Sequence, residues 1–275
     1  MAGTLYVVAT PLGNLGDLSP RAADTLKRVT AVAAEDTRHS KPLLTHVGSR
    51  ADMISFHAHS SARALERILR ILQEGRDVAL ITDAGTPAIS DPGVALVAEA
   101  RARGIQVVTV PGPTAVAAGL SVSGIGGDRY LFLGFLPRKG SDRRRLLLTA
   151  AESEWTVVLF ESPNRVTQLL ADLAEICGPE RQVAVSRELT KVFEETRAGT
   201  LQELSEHYAE APVRGEVTVV LSGTGKARVA ERALDPAERA KALLEEGLSR
   251  KDVADRLAEE TGISRNTAYR LVNEL

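Results

Sequence analysis

The chain reads as an α/β protein: two α/β domains followed by a small helical tail. Three observations carry that expectation. Apolar strand-like runs alternate with helical patterns from residue 4 to about 115, which marks a mostly parallel, five-stranded sheet covered by helices. Three of those strands run straight into Gly/Pro turns: residues 5–9 into 10–17, 78–81 into 82–87, and 107–110 into 111–115. Beyond a glycine-rich stretch at 121–128 a second series of strands and helices begins, and after Gly223-Thr224-Gly225 the chain turns charged and helical.

In the first domain, residues 1–120, strands fall near 4–9, 30–34, 53–56, 77–82 and 106–110. Ser19 and Pro20 supply the N-cap and first position of a helix whose Ala23, Leu26 and Val29 make one face. Residues 60–74 form a second helix stopped by Gly75, and a third runs from Ser90-Asp91-Pro92 to Gly104. The second domain, residues 128–224, is a mixed sheet with strands at 130–135, 155–160, 182–186, 192–197 and 216–221, and Ser162-Pro163 opens a helix that reaches Cys177. The tail, residues 231–275, holds helices near 236–246, 250–260 and 265–274, with Ser249 and Ser264 as N-caps and Glu260-Thr261-Gly262-Ile263 as the turn of a helix-turn-helix pattern. Its last helix carries Arg265, Asn266, Thr267, Tyr269 and Arg270, side chains suited to phosphates or bases. Residues 226–275 nevertheless hold ten Lys or Arg against ten Asp or Glu, so nucleic-acid contact and a packing or dimer-supporting role both stay open.

Over its 275 residues the chain is 44% hydrophobic and 25% charged, an ordinary globular composition, and a net charge of −2 leaves polyanion binding to a local patch. The amino terminus enters a strand without a basic, apolar leader, and no apolar run is long enough to span a bilayer, so a cytoplasmic location is expected. Cys177 is the only cysteine, which excludes an intrachain disulfide and a cysteine-clustered zinc site and leaves a packed thiol. Of five histidines only His57 and His59 stand close, and no third ligand of matching spacing follows, so no metal is expected.

Ligands of open α/β sheets sit beyond the carboxyl ends of the strands, where the three Gly/Pro turns would converge. Gly13-Asn14-Leu15-Gly16 is not the dinucleotide fingerprint, and no triphosphate-cradling G-x-x-x-x-G-K-[ST] occurs. What is left is a compact ligand with an adenosine part, held by glycine backbone and small hydroxyls.

The segments Asp83-Ala84-Gly85-Thr86-Pro87-Ala88-Ile89-Ser90-Asp91-Pro92-Gly93, Val110-Pro111-Gly112-Pro113-Thr114-Ala115 and Phe160-Glu161-Ser162-Pro163-Asn164-Arg165 resemble the tetrapyrrole-methylase superfamily of S-adenosylmethionine-dependent enzymes. Ala9-Thr10-Pro11-Leu12-Gly13-Asn14-Leu15-Gly16-Asp17 and Ala34-Glu35-Asp36-Thr37-Arg38 are similar to the branch that 2′-O-methylates a cytidine ribose in 16S ribosomal RNA. The resemblance covers residues 4 to about 223. It implies a two-domain methylase, usually dimeric, that folds S-adenosylmethionine into the cleft between its domains, uses no metal and acts on 16S rRNA or the 30S subunit in its decoding region. Carried over motif by motif, it puts Pro11 on the first cofactor loop, Ala84, Gly85, Thr86 and Ile89 on the second, and Thr114 with Ala115 on the third. Phe160 and Glu161 would close the site from the second domain, with Glu188-Leu189 and Gly215-Glu216-Val217 nearby.

Methyl transfer to a ribose oxygen needs alignment, exclusion of water and a group that accepts the hydroxyl proton. Asp36, Asp83, Asp91 and Glu161 are the candidates, all expected at loop ends facing the cleft. For the RNA backbone, Arg138, Lys139, Arg143, Arg144 and Arg145 form a basic run after a second-domain strand, and Arg38 and Arg165 could extend its track. Two other readings stand beside this one: a tetrapyrrole-modifying methylase with the same fold and cofactor, and a metabolite sensor whose helical tail binds DNA.

Overall fold

The computed structural model describes residues 2–57, 60, 62–210, 214–224, 236–245, 248–261 and 264–274. His59, Glu246, the turn residues Gly262 and Ile263, and the stretch 225–235 lie outside the described residues, and so do the expectations that rest on them. The chain divides into two compact units, one of Met1–Ala151 with Thr156–Ser222 and one of Glu152–Trp155 with Gly223–Leu275.

The first unit holds both sheets. Strands β1 (Thr4–Val8), β2 (Ala31–Ala34), β3 (Asp52–Ser55), β4 (Val78–Ile81) and β5 (Gln106–Val110) form a sheet in the order β3-β2-β4-β1-β5, parallel throughout. Every residue of β2 and β4 is buried, because helices cover both faces of a parallel sheet and each side chain needs an apolar neighbour. Those covers are α1 (Pro20–Arg28), α2 (Thr37–His46), α3 (Ala62–Gln73), α4 (Val94–Ala102) and α5 (Ala115–Val122). Ser19 caps α1 as expected, its Oγ accepting the Ala22 N–H at 3.1 Å ahead of Pro20.

The second sheet runs β6-β7-β10-β8-β9, from β6 (Tyr130–Phe135), β7 (Thr156–Glu161), β8 (Gln182–Arg187), β9 (Glu195–Thr200) and β10 (Val217–Leu221). The β6–β7 pair is parallel and the others antiparallel, so the sheet is mixed. Alternate residues Val157, Leu159, Val183, Val185, Val217 and Val219 pack into one core with α6 (Ser141–Glu152), α7 (Val166–Cys177) and α8 (Leu201–Glu210). The opposite face meets α5, where a Cβ on Gly119 would stand 2.7 Å from Thr218 Cγ2; that closeness ties the two sheets together.

Two boundaries differ from expectation. The third helix starts at Val94, four residues beyond Ser90, because Ala88 (φ 68°), Ser90 (φ 62°) and Gly93 (φ 135°) hold 88–93 in a left-handed loop no helix can include. The strand expected at 192–197 starts at Glu195: Val192 and Phe193 have strand-forming side chains but are 92% and 71% exposed at the tip of a turn closed by Glu194 N–H donating to Lys191 C=O. The expected linker is ordered as well. Its first two residues end α5, and Ser123 is buried, with its hydroxyl accepting the Ile125 N–H.

In the second unit, α9 (Pro236–Glu245), α10 (Arg250–Thr261) and α11 (Arg265–Glu274) share a core of Ala240, Leu243, Val253, Ala254, Leu257, Ala268 and Val272. Ser249 and Ser264 cap α10 and α11, accepting the N–H of Asp252 and of Thr267, each at 3.2 Å. Arg265, Asn266, Tyr269 and Arg270 are exposed, and Arg265 pairs with Asp255 at 3.0 Å. No helix among the described residues is long and apolar enough to cross a membrane.

Candidate active site

The three Gly/Pro turns are bonded to one another at the carboxyl edge of the parallel sheet. Thr10 and Gly85 exchange two backbone hydrogen bonds, 2.8 and 3.1 Å, which fasten the first loop to the second. Thr86 Oγ1 donates to the Pro113 carbonyl at 3.2 Å, fastening the second to the third. Between these loops and the second sheet lies a cavity of about 450 Å³. The sequence-derived residues Ala84, Gly85, Thr86, Ile89, Thr114, Ala115 and Phe160 all line it, together with Glu161, Glu188, Gly215, Glu216 and Val217. Pro11 lines a neighbouring cavity instead, since the chain turns away from the first one at Leu12.

Backbone strain is concentrated here. Among the described residues, the non-glycine positions with positive φ are Ala88, Ser90, Glu188 and Thr190, and all four sit in the two loops that line the cavity. Each such residue costs about 1–3 kcal/mol, which a fold keeps where the loop shape itself has a use.

The lining combines apolar and acidic side chains. Phe160 meets Phe132 edge-on at 4.9 Å and Phe135 at 5.6 Å, and Phe135 and Ile89 stay exposed in a wall that would suit a flat ring. The lining also holds Asp83, Asp91, Glu161, Glu188 and Glu216, with Lys191 as its cation. Lys191 Nζ bridges Glu188 Oε1 at 2.9 Å and Glu216 Oε2 at 3.1 Å. Burial pushes the Asp91 carboxyl up to about 6, against the Thr82 hydroxyl beside it, and the nearby carboxylates Glu35, Asp83 and Glu216 add to the rise.

Glu161 is wholly buried. Its Oε1 accepts the N–H of Ser162 at 2.8 Å and the Ser162 hydroxyl at 3.2 Å, while Oε2 lies 3.2 Å from the Arg165 guanidinium and makes no hydrogen bond among the described residues. Asp83 Oδ1 accepts the Asp36 N–H at 3.2 Å.

The chain belongs to the tetrapyrrole methylase family. The family model for tetrapyrrole (corrin/porphyrin) methylases matches residues 4–205. A protein named ribosomal RNA small subunit methyltransferase I from Synechocystis sp. is 42% identical over 99% of this chain and 98% of its own. One of the same name from Xylella fastidiosa is 45% identical over 97% and 98%. Among solved structures, uroporphyrin-III C-methyltransferase from Thermus thermophilus in complex with S-adenyl homocysteine superposes with a TM-score of 0.59 at 18% identity, over 80% of this chain and 97% of that one, a likeness of fold.

Set against its sequence, this methylase places several residues elsewhere. Asp36 is outside the cavity lining: its carboxylate caps α2 by accepting the Arg38 N–H at 2.8 Å and grips the Arg38 side chain at 3.1 and 2.8 Å. Those bonds hold it well below the usual carboxylate range and make it a poor proton acceptor. Arg143 is a correction. The basic run begins α6, whose inward face turns Arg143 to 8% exposure, where it bonds Asp172 at 2.5 and 3.1 Å and the Pro137 carbonyl at 3.2 Å. Arg165 also points inward, donating to the Leu136 and Pro137 carbonyls beside Glu161. Arg38, Arg138, Lys139, Arg144 and Arg145 remain exposed. Sequence reasoning passed over Phe135 and Lys191. Phe135 has a signal in the Gly134 bulge that re-aims the end of β6, whereas Lys191 has none, because it depends on two strained residues that are not glycines.

Proposed function

We propose that this methylase transfers a methyl group from S-adenosylmethionine to the 2′-oxygen of a cytidine ribose in the decoding region of small-subunit ribosomal RNA. The observation that carries the reading is the match at 42–45% identity to proteins of that name along nearly the whole chain, helical tail included. The macrocycle enzyme compared above shares the fold over only 80% of it. Residues 1–120 and 128–224 then act as the two lobes of the cofactor cleft, and 231–275 as an RNA-binding or assembly module.

The cavity suits the cofactor. Its apolar wall offers a seat for an adenine, the loops around Gly85 and Thr114 offer backbone donors and acceptors, and the carboxylates complement a ligand bearing positive centres. When bound, S-adenosylmethionine supplies a methyl group on a positively charged sulfur. The protein aligns the attacking oxygen with it and excludes water, which is worth about 7–11 kcal/mol when geometry is good. Asp91 accepts the proton of the ribose hydroxyl, its proton affinity being set near neutrality. Asp83, at the same wall, positions the loop through Asp36, and Glu161, paired with Arg165, fixes the end of β7 where Phe160 lines the cavity. Arg38, Arg138, Lys139, Arg144 and Arg145 hold RNA phosphates. A homodimer acting on the 30S subunit in the cytoplasm completes the reading, supported by the resemblance of the loop motifs.

Purified protein incubated with tritiated methyl donor and, separately, 30S subunits, naked 16S rRNA and a uroporphyrinogen should place label in the RNA. Label in the macrocycle and none in either RNA would overturn the assignment.

A further inference from the structure

We propose that helix α11 is a docking face for base-paired ribosomal RNA, held across the minor groove; this deepens the function proposed above and rests on it. Ala268 and Val272 turn into the core of the three-helix unit. That leaves Asn266, Tyr269, Arg270 and Asn273 exposed, at the i, i+3, i+4, i+7 spacing of a single stripe. The stripe runs about 10 Å along the helix. Every side chain in it carries a hydrogen-bonding group, and none is acidic or aliphatic.

Charge is divided unevenly within this neutral tail. Helix α11 contains two arginines and one acid, Glu274, which follows the stripe. Arg265 is paired with Asp255 at 3.0 Å, whereas the Arg270 side chain makes no ion pair or hydrogen bond among the described residues. The same is true of the Arg250 and Lys251 side chains, exposed at the start of α10. An unpaired arginine flanked by two amides and a phenol complements phosphate and sugar. A protein partner would call for apolar anchors, and the stripe offers only the ring of Tyr269. In a helix-turn-helix the first helix crosses the nucleic-acid backbone while the second lies along a groove, which gives Arg250 and Lys251 the flanking phosphates. The partner's shape selects the groove. A-form RNA has a major groove too deep and narrow to enter, and a wide, shallow minor groove that displays 2′-hydroxyls. Arg270 then takes a phosphate, Asn266 and Asn273 take 2′-hydroxyls, and the duplex is recognised by shape rather than sequence.

The test uses the full-length protein and a fluorescent RNA duplex of about 16 base pairs, beside a DNA duplex of the same sequence. Anisotropy should show the RNA bound more tightly than the DNA, and RNA duplexes of scrambled sequence bound equally. Asn266→Ala combined with Arg270→Ala, at exposed helical positions that alanine suits, should weaken the RNA duplex on the order of 50-fold. It should also make the log affinity against log salt slope shallower by about 0.9, and Arg250→Ala with Lys251→Ala by about 1.8. Both double variants should bind S-adenosylhomocysteine within about two-fold of the parent by calorimetry, while KM for 30S subunits rises. Parental duplex affinity and slope in the Asn266/Arg270 variant would overturn the proposal. So would a DNA duplex bound more tightly than the RNA, or a loss of self-association in sedimentation that parallels the loss of binding, which would make α11 a contact between copies. Methyl transfer to RNA by a parent whose duplex binding ignores the substitutions defeats this inference alone. A parent that holds the duplex through the stripe yet transfers no methyl group to RNA defeats the proposed function alone.

Discussion

Asp91 owes its raised proton affinity to its position: half-buried at the end of a strained loop, among carboxylates that disfavour a further negative charge. The sign of the effect follows from the two states. With the folded carboxyl at about 6 and its ordinary value at 3.8, the unfolded chain ionises first as pH rises, so the contribution of Asp91 to stability is present below pH 3.8 and lost as pH passes 6. Activity runs the other way, because only the carboxylate can take a proton. The kcat/KM profile of the free enzyme should therefore rise with an apparent pKa near 6. Asp91→Asn should lower kcat by about 10²–10⁴ and abolish that acid limb. It should also raise thermal stability relative to the parent more at pH 8 than at pH 4. An acid limb that survives in Asp91→Asn would assign the proton to another group.

Helix α6 shows how one element divides a run of like charges. Three consecutive arginines cannot share a helix face, and the 3.6-residue period sends Arg143 inward to Asp172 while Arg144 and Arg145 stay outside. Arg143→Ala should leave Asp172 without its cation and cost about 3 kcal/mol of stability, measured by denaturant unfolding. Arg144→Ala with Arg145→Ala should instead leave stability intact. If Arg38, Arg138, Lys139, Arg144 and Arg145 each hold a phosphate, log affinity for single-stranded RNA should fall with log salt at a slope of about −3.5, and the double variant should bring it to about −2.1. An unchanged slope would remove this face from the RNA track. The inward turn was not legible in the sequence, because the run was read by its charge rather than its helical phase. The strands were legible: residues 31–34 and 78–81 are continuous apolar runs, as fully covered parallel strands must be. Helix α2 was hidden by Pro42 within it, and α5 by its small side chains and Gly119, neither of which looks helical in isolation.

At the scale of the whole molecule, the three Gly/Pro turns were readable as one ligand edge because glycine and proline advertise their backbone geometry. Thr10, Gly85, Thr86 and Pro113 then bond them into a single rim. The family resemblance pointed to Glu188 and Leu189, but the shape of the facing loop at 188–191 was not readable. Its left-handed residues are Glu188 and Thr190, types that carry no such signal, and the two exposed apolar residues after them imitate a strand. Residue patterns thus revealed the rim built on the parallel sheet, the family resemblance added Phe160, Glu161, Glu188 and Glu216 from the mixed-sheet half, and Lys191 depends on tertiary packing. The molecule proposed here brings the two halves together to methylate a ribose oxygen, and the position of the methyl group on the nucleotide tests that most directly. Alkaline hydrolysis cleaves RNA only where the 2′-hydroxyl is free. 16S rRNA labelled by this protein with a tritiated methyl donor should therefore release its label in an alkali-stable dinucleotide. Label recovered in mononucleotides would place the methyl group on a base and contradict the account.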